Sequence, residues 1–145
     1  MKVDGGCHCG QIRYEAVIET DRVIICHCTD CQTLSGSAFR VVVQTAPGSF
    51  RLLSGEPKIY TKVAESGAAR EQGFCPECGT PIYSRPVGGH TPALGLRVGT
   101  ITQRDELIPK DQYWTRSSQL WLAGLGEVHS WETQPTFRAD GAFDE

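Results

Sequence analysis

Apolar and polar residues alternate from 11 to 19, "QIRYEAVIE", so that Ile12, Tyr14, Ala16 and Ile18 share one face while Arg13 and Glu15 occupy the other. This is the pattern of a half-buried strand. Further extended segments are predicted at 22–26 (RVIIC), 39–45 (FRVVVQT), 49–55 (SFRLLSG), 57–65 (PKIYTKVAE), 68–75, 80–86 and 93–101. "APGS" and "SGEP" separate three of these as turns. Many short strands bounded by glycine and proline predict a mainly β fold, as a sandwich, a barrel or a folded-over sheet. One short helix is predicted, because "TDCQ" at 29–32 fits a capping box starting at Thr29 and Gly36 can close the far end. Beyond Thr102 the alternation weakens into extended segments joined by loops. The polar stretch from Pro135 to Glu145 is expected to fray or lie on the surface.

At 145 residues, 39% hydrophobic and 21% charged, the chain is long enough to bury a core of its own. Residues 1–145 are read as one domain, its core over about 5–135. A formal charge of -3 and a pI of about 5.8, with no run of lysines and arginines, disfavour a nucleic-acid partner. Neither a leader-like apolar stretch nor a membrane-length one is present, so a soluble, cytoplasmic protein is expected.

The seven cysteines change the picture. Thiols stay reduced in the cytoplasm, and an odd number leaves one over, so a disulfide framework is not the reading. Nor do core cysteines cluster at spacings of two and three. Cys7 and Cys9, then Cys26, Cys28 and Cys31, then Cys75 and Cys78 form three chelating groups, which divide as four plus three. Spacing leaves two partitions open. Either the first and last groups close a four-sulfur site and the middle group makes an open three-sulfur site, or Cys28 and Cys31 join Cys75 and Cys78 as a zinc ribbon. The first uses every cysteine in compact units and is preferred. His8 and His27 each sit between two cysteines, where the middle side chain of an extended segment points away, so packing or hydrogen bonding is expected of them. Cys31 falls in the first turn of the predicted helix, where the dipole and free N–H groups favour a thiolate. His90 and His129 lie in unpatterned segments.

"GGCHCGQIRYEA", "CHCTDCQTLSGSAF" and "FCPECGTPIY" resemble the three signature segments of the glutathione-dependent formaldehyde-activating enzyme (GFA) family, in the family's order. With a weaker match from "VGTI" through "LIPKDQYW" and Trp121, the likeness covers about 5–135. It implies an Mss4-like fold of folded-over β-sheets with zinc-binding loops. It implies a structural zinc on Cys7, Cys9, Cys75 and Cys78, and a catalytic zinc on Cys26, Cys28 and Cys31. The implied activity is a carbon-sulfur lyase that joins glutathione to formaldehyde. A second reading, of another class, is a zinc-stabilised binding module without this activity; a third is the same chemistry on another thiol or electrophile.

A three-sulfur zinc centre has one position for a substrate thiol, and no phosphate-binding glycine loop suggests a nucleotide cofactor. Three thiolates also leave the centre negative, so cations should stand nearby, and Arg116 is one candidate. Phe39, Phe74 and Trp114 are read first as core and second as lining of a pocket near the metals. Thr102, Gln103 and Gln112 depart from the family pattern at positions expected to border the substrate pocket.

Overall fold

A computed structural model describes residues 1–88 and 92–142; His90 and the last three residues of the tail lie outside them. Among the described residues, nine strands make up most of the regular secondary structure. They are β1 (Lys2–Gly6), β2 (Arg13–Cys26), β3 (Arg40–Thr45), β4 (Arg51–Ser54), β5 (Lys58–Val63), β6 (Ala69–Phe74), β7 (Pro81–Pro86), β8 (Gly95–Arg97) and β9 (Asp111–Tyr113). The mainly β expectation holds, and the sheets are folded over at β2.

That fold-over follows from the length of β2. Its first half pairs with β1 and β4, and its second half pairs antiparallel with β3 and parallel with β9. The segments expected as two strands, 11–19 and 22–26, are therefore one strand whose register shifts between Ile18 and Val23. A bulge bends a strand and adds twist, so one chain segment serves two sheets. Polar Thr20, Asp21 and Arg22 in that bend are exposed, which is why the alternation seemed to stop there. From β3 the second sheet continues through β8, β7, β6 and β5, each antiparallel to the last.

The alternation of β2 buries as expected, with Ile12, Tyr14, Ala16 and Ile18 each 4% exposed or less. They share one buried cluster with Val43, Ile82, Leu96 and Ile101, all fully buried. Aromatic packing spans the two sheets, because Phe50 lies 5.3 Å from the Tyr14 ring and 5.4 Å from the Tyr83 ring. Burial pushes the Tyr14 phenol up to about 12, and its hydroxyl is hydrogen-bonded to Thr100 Oγ1 at 2.8 Å. Gly5 of β1 permits this approach. A Cβ there would overlap the Thr100 carbonyl oxygen and the Tyr14 hydroxyl. Gly5→Ala should therefore cost about 1–3 kcal/mol of stability, read as a lower midpoint of urea unfolding.

The helix α1 (Thr29–Ser35) forms where expected, and Gly36 ends it at φ 62°, donating its N–H to Gln32 and Thr33 carbonyls. Its start differs. Cys28, not Thr29, is the N-cap, and its sulfur accepts the Cys31 N–H at 3.3 Å. Gln32 is used elsewhere, its amide donating to the carbonyls of His27 and Ser117. After Thr102 the extended reading fits only β9; Leu120–Glu127 instead forms short 3-10 turns. Among the described residues no helix is long and apolar enough to cross a membrane.

Candidate metal centres

The seven sulfurs gather into two clusters. Cys7, Cys9, Cys75 and Cys78 bring their sulfurs within 4.8 Å of one another, and so do Cys26, Cys28 and Cys31. This is the four-plus-three grouping; the alternative zinc ribbon is not formed.

The four-sulfur cluster is built from two similar turns. The Cys7 N–H donates to Ile12 O at 3.1 Å and Gly10 turns back to Cys7 O at 3.2 Å with φ 85°. Likewise the Cys75 N–H donates to Thr80 O at 2.9 Å, and Gly79 bonds back to Cys75 O at 2.9 Å with φ 75°. Both glycines occupy the left-handed region that lets a short turn fold both sulfurs to one side. Sulfur separations of 3.5 Å (Cys7 to Cys9) and 3.7 Å (Cys9 to Cys75) suit a tetrahedral ion, whose metal-sulfur bonds of about 2.3 Å place ligands just under 4 Å apart. The N–H of Ile12 donates to Cys7 Sγ at 3.2 Å. The Thr80 hydroxyl, 3.1 Å from Cys78 Sγ, leads the causes that lower that thiol to about 5. Cys7 and Cys78 are held down while the neighbouring sulfurs help to push Cys9 up, so the four sulfurs share protons, and this cluster could hold a metal ion.

The three-sulfur cluster lies where β2 ends and α1 begins. Cys26 closes the strand, Cys28 caps the helix and Cys31 sits in its first turn, all half-buried. Its thiols are not equivalent. A hydrogen bond with Cys31 favours the Cys26 thiolate, whereas that bond and burial push the Cys31 thiol up. At the helix start, where free N–H groups were expected to favour the Cys31 thiolate, the hydrogen bond goes to another sulfur. The Cys31 N–H, the donor at the helix start, is directed at Cys28, and Cys31 shares its proton with a neighbouring sulfur.

One side of this cluster opens on a cavity of about 430 Å³. The cavity is one face of the second sheet, seen strand by strand. Arg40 stands directly opposite Cys26 in the β2–β3 register, Val42 opposite Arg97 in β3–β8, and Gln72 opposite Ser84 in β6–β7. Arg70 lies two residues from Gln72, on the same face. Arg40 and Arg97 are 6% and 8% exposed, and both donate to Gln72 Oε1, at 3.4 and 2.5 Å. Arg70 donates to Ser84 Oγ at 3.2 Å. Burial, then the charge of Arg40, push the Arg97 guanidinium down to about 9, still cationic at neutral pH.

A family model described as "Glutathione-dependent formaldehyde-activating enzyme" matches residues 2–117. The chain belongs to this GFA family. A fission-yeast protein (Schizosaccharomyces pombe) named "Uncharacterized lyase C29B12.13" is 33% identical over 89 residues, a match that covers 61% of this GFA chain and 61% of that protein. A crystal structure of a Rhodobacter sphaeroides protein aligns with 75% of this chain and 98% of its own at a TM-score of 0.57, with 17% identity. That likeness concerns the fold.

Within this GFA chain the residues flanking the sulfurs fall into place. His8 is exposed, and its N–H donates to Thr80 Oγ1. His27 turns to the far side of β2, where it is buried, 2.7 Å from Gln112 Oε1 and edge-on to Phe39. Neither imidazole joins a sulfur cluster. His129 stacks on Trp131 at 5.0 Å. The departures from the GFA pattern lie away from the sulfur cavity, since Thr102 and Gln103 bond to Asp4 on β1 and Gln112 bonds to His27.

Two further expectations are corrected. Arg116 pairs with Glu65 and lies over the Trp114 ring at the surface, outside the cavity wall. Phe39, Phe74 and Trp114 are all half-buried rather than core. Of these, only Trp114 borders the sulfur cavity, beside Tyr113. The arginines that do line it, Arg40, Arg70 and Arg97, were missed. Their signal was the period of two, which puts Arg40 in step with Val42 and Arg70 in step with Gln72.

Proposed function

We propose that this protein is a zinc-dependent carbon-sulfur lyase of the GFA type, condensing glutathione with formaldehyde to S-hydroxymethylglutathione and catalysing the reverse cleavage. The three-sulfur cluster carries the reading, because it stands one ligand short of its four-sulfur counterpart and faces a cavity. All-thiolate donors at these separations suit zinc, so Cys7, Cys9, Cys75 and Cys78 would hold a structural ion and Cys26, Cys28 and Cys31 a second. Zinc at three thiolates supplies a Lewis acid that keeps a substrate thiol deprotonated near neutral pH.

The chain's own residues do the rest. The Cys31 N–H steadies the Cys28 sulfur, and Arg40, across from Cys26, offsets thiolate charge. Tyr113 and Trp114 wall the cavity where the two reactants would be held together. The thiolate sulfur adds to the aldehyde carbon, forming the carbon-sulfur bond, and the former carbonyl oxygen takes a proton from solvent. No oxidant, reductant or nucleotide is consumed. The family match and the lyase name of the yeast relative support this assignment.

The test is the rate of S-hydroxymethylglutathione formation with zinc-loaded protein, compared with the uncatalysed reaction at the same concentrations. A rate proportional to protein concentration and well above background is expected. Two bound zinc ions with only the background rate would overturn the assignment and leave a zinc-stabilised binding module.

A further inference from the structure

We infer that Arg40, Arg70 and Arg97 form a carboxylate-binding subsite beside Cys26, Cys28 and Cys31, so that a reactant handled there is a carboxylic acid. Three guanidinium groups line the cavity, and among the described residues no aspartate or glutamate borders it. Among the described residues the one other cation there, Lys62, is already paired with Asp30 at 2.7 Å. What the arginines have instead is thin. Arg40 and Arg97 share a single neutral oxygen of Gln72, Arg70 has one serine hydroxyl, and Arg97 Nε is buried with no partner.

A guanidinium offers five donors, and burying one without an anion carries a heavy desolvation cost unless a counter-charge arrives. The sulfur cluster supplies only part of it. Three thiolates around a divalent ion leave one negative charge, which offsets one of three guanidinium charges. A substrate thiolate offsets a second. One charge is left for a group of the reactant, and the planar, two-oxygen geometry of a carboxylate is what an arginine fork matches best. Formaldehyde would use none of this. The inference rests on the three-sulfur cluster being the reaction site, and it names what else the substrates must carry.

Two sources of the carboxylate are possible, the thiol or the carbonyl compound, and two arms separate them. In the first, glutathione and its diethyl ester are titrated calorimetrically into the zinc-loaded protein. In the second, glyoxylate and the neutral glyoxal are titrated in the same way. The acid should bind at least tenfold more tightly than its neutral counterpart in one arm, which identifies the source. Arg70→Gln or Arg97→Gln should weaken binding of that acid about 10- to 100-fold, the range for a charged hydrogen bond, and leave the neutral compound unchanged. Arg70→Lys should restore part of the affinity. Zinc content and the circular dichroism spectrum establish that each variant is folded, and Arg70, half-buried, is the safer of the two sites. Equal binding of acid and neutral compound in both arms, absence of binding in both, or discrimination that survives in Arg70→Gln and Arg97→Gln alike overturns the inference. Since the readout is heat of binding, it stands apart from whether S-hydroxymethylglutathione is formed.

Discussion

Cys75→Ser is expected to yield a chain that does not fold cooperatively. Cys75 is fully buried, and its sulfur lies 3.7 Å from that of Cys9, 66 residues earlier. The cluster therefore ties the turn between β1 and β2 to the turn between β6 and β7, elements from opposite ends of the strand order. A structural zinc site contributes about 10–16 kcal/mol of apparent binding free energy, whereas a whole domain is stable by only about 5–15 kcal/mol. Serine keeps the volume but offers a harder, more weakly bound oxygen. Loss of one ligand should thus remove most of the stability, seen as loss of the cooperative urea transition. A transition that persists with the wild-type midpoint would show that these sulfurs hold no structural ion.

Chelation of the native protein should separate the two clusters. The three-sulfur site has fewer thiolate ligands and an accessible cavity, so a chelator should take its ion first, with the circular dichroism spectrum unchanged. The second ion should leave only as the spectrum collapses. Simultaneous loss of both ions would mean that the clusters are not energetically distinct.

How much of this was readable in the sequence depended on whether a feature is local. The alternation at Ile12, Tyr14, Ala16 and Ile18 reports directly on which face is buried, so the strand and its core side were legible. Cysteine spacing within each group was legible for the same reason, because a turn of three or four residues fixes where two sulfurs can point. The continuity of β2 was not, since a bulge leaves polar residues such as Asp21 unpaired and exposed, which on paper looks like a loop.

Charged residues that serve a buried face were the least legible. Arg40 and Arg97 sit at strand positions where composition suggests solvent, and each becomes intelligible only when its neighbour across the sheet is known: Cys26 for Arg40 and Val42 for Arg97. Cross-strand pairing joins residues far apart in the chain, so period alone identifies a face without saying what it looks at. The cap of α1 failed for a subtler reason. A serine-or-threonine pattern starting at Thr29 was available, but the backbone of Cys28 is extended (φ −60°, ψ 151°) and its sulfur took the donor. A sulfur at the N-cap can accept an N–H group, and the capping box was drawn for hydroxyls.

That cap gives Cys28 two roles, and a pair of substitutions separates them. Cys28→Ala should reduce S-hydroxymethylglutathione formation to the uncatalysed rate, because two sulfurs no longer make a competent site. It should also lose the N-cap, at about 1 kcal/mol. The fold should survive, since α1 buries none of its own residues and the four-sulfur cluster is untouched. Cys28→Ser restores an oxygen acceptor for the Cys31 N–H, so it should regain the lost stability while activity stays at background. Measured together, the unfolding midpoints should rank Cys28→Ala below Cys28→Ser and wild type, whereas the rates should group both variants against wild type. If Cys28→Ser recovered activity along with stability, the cap rather than the sulfur would be what the reaction needs, and the three-sulfur centre would lose its chemical role.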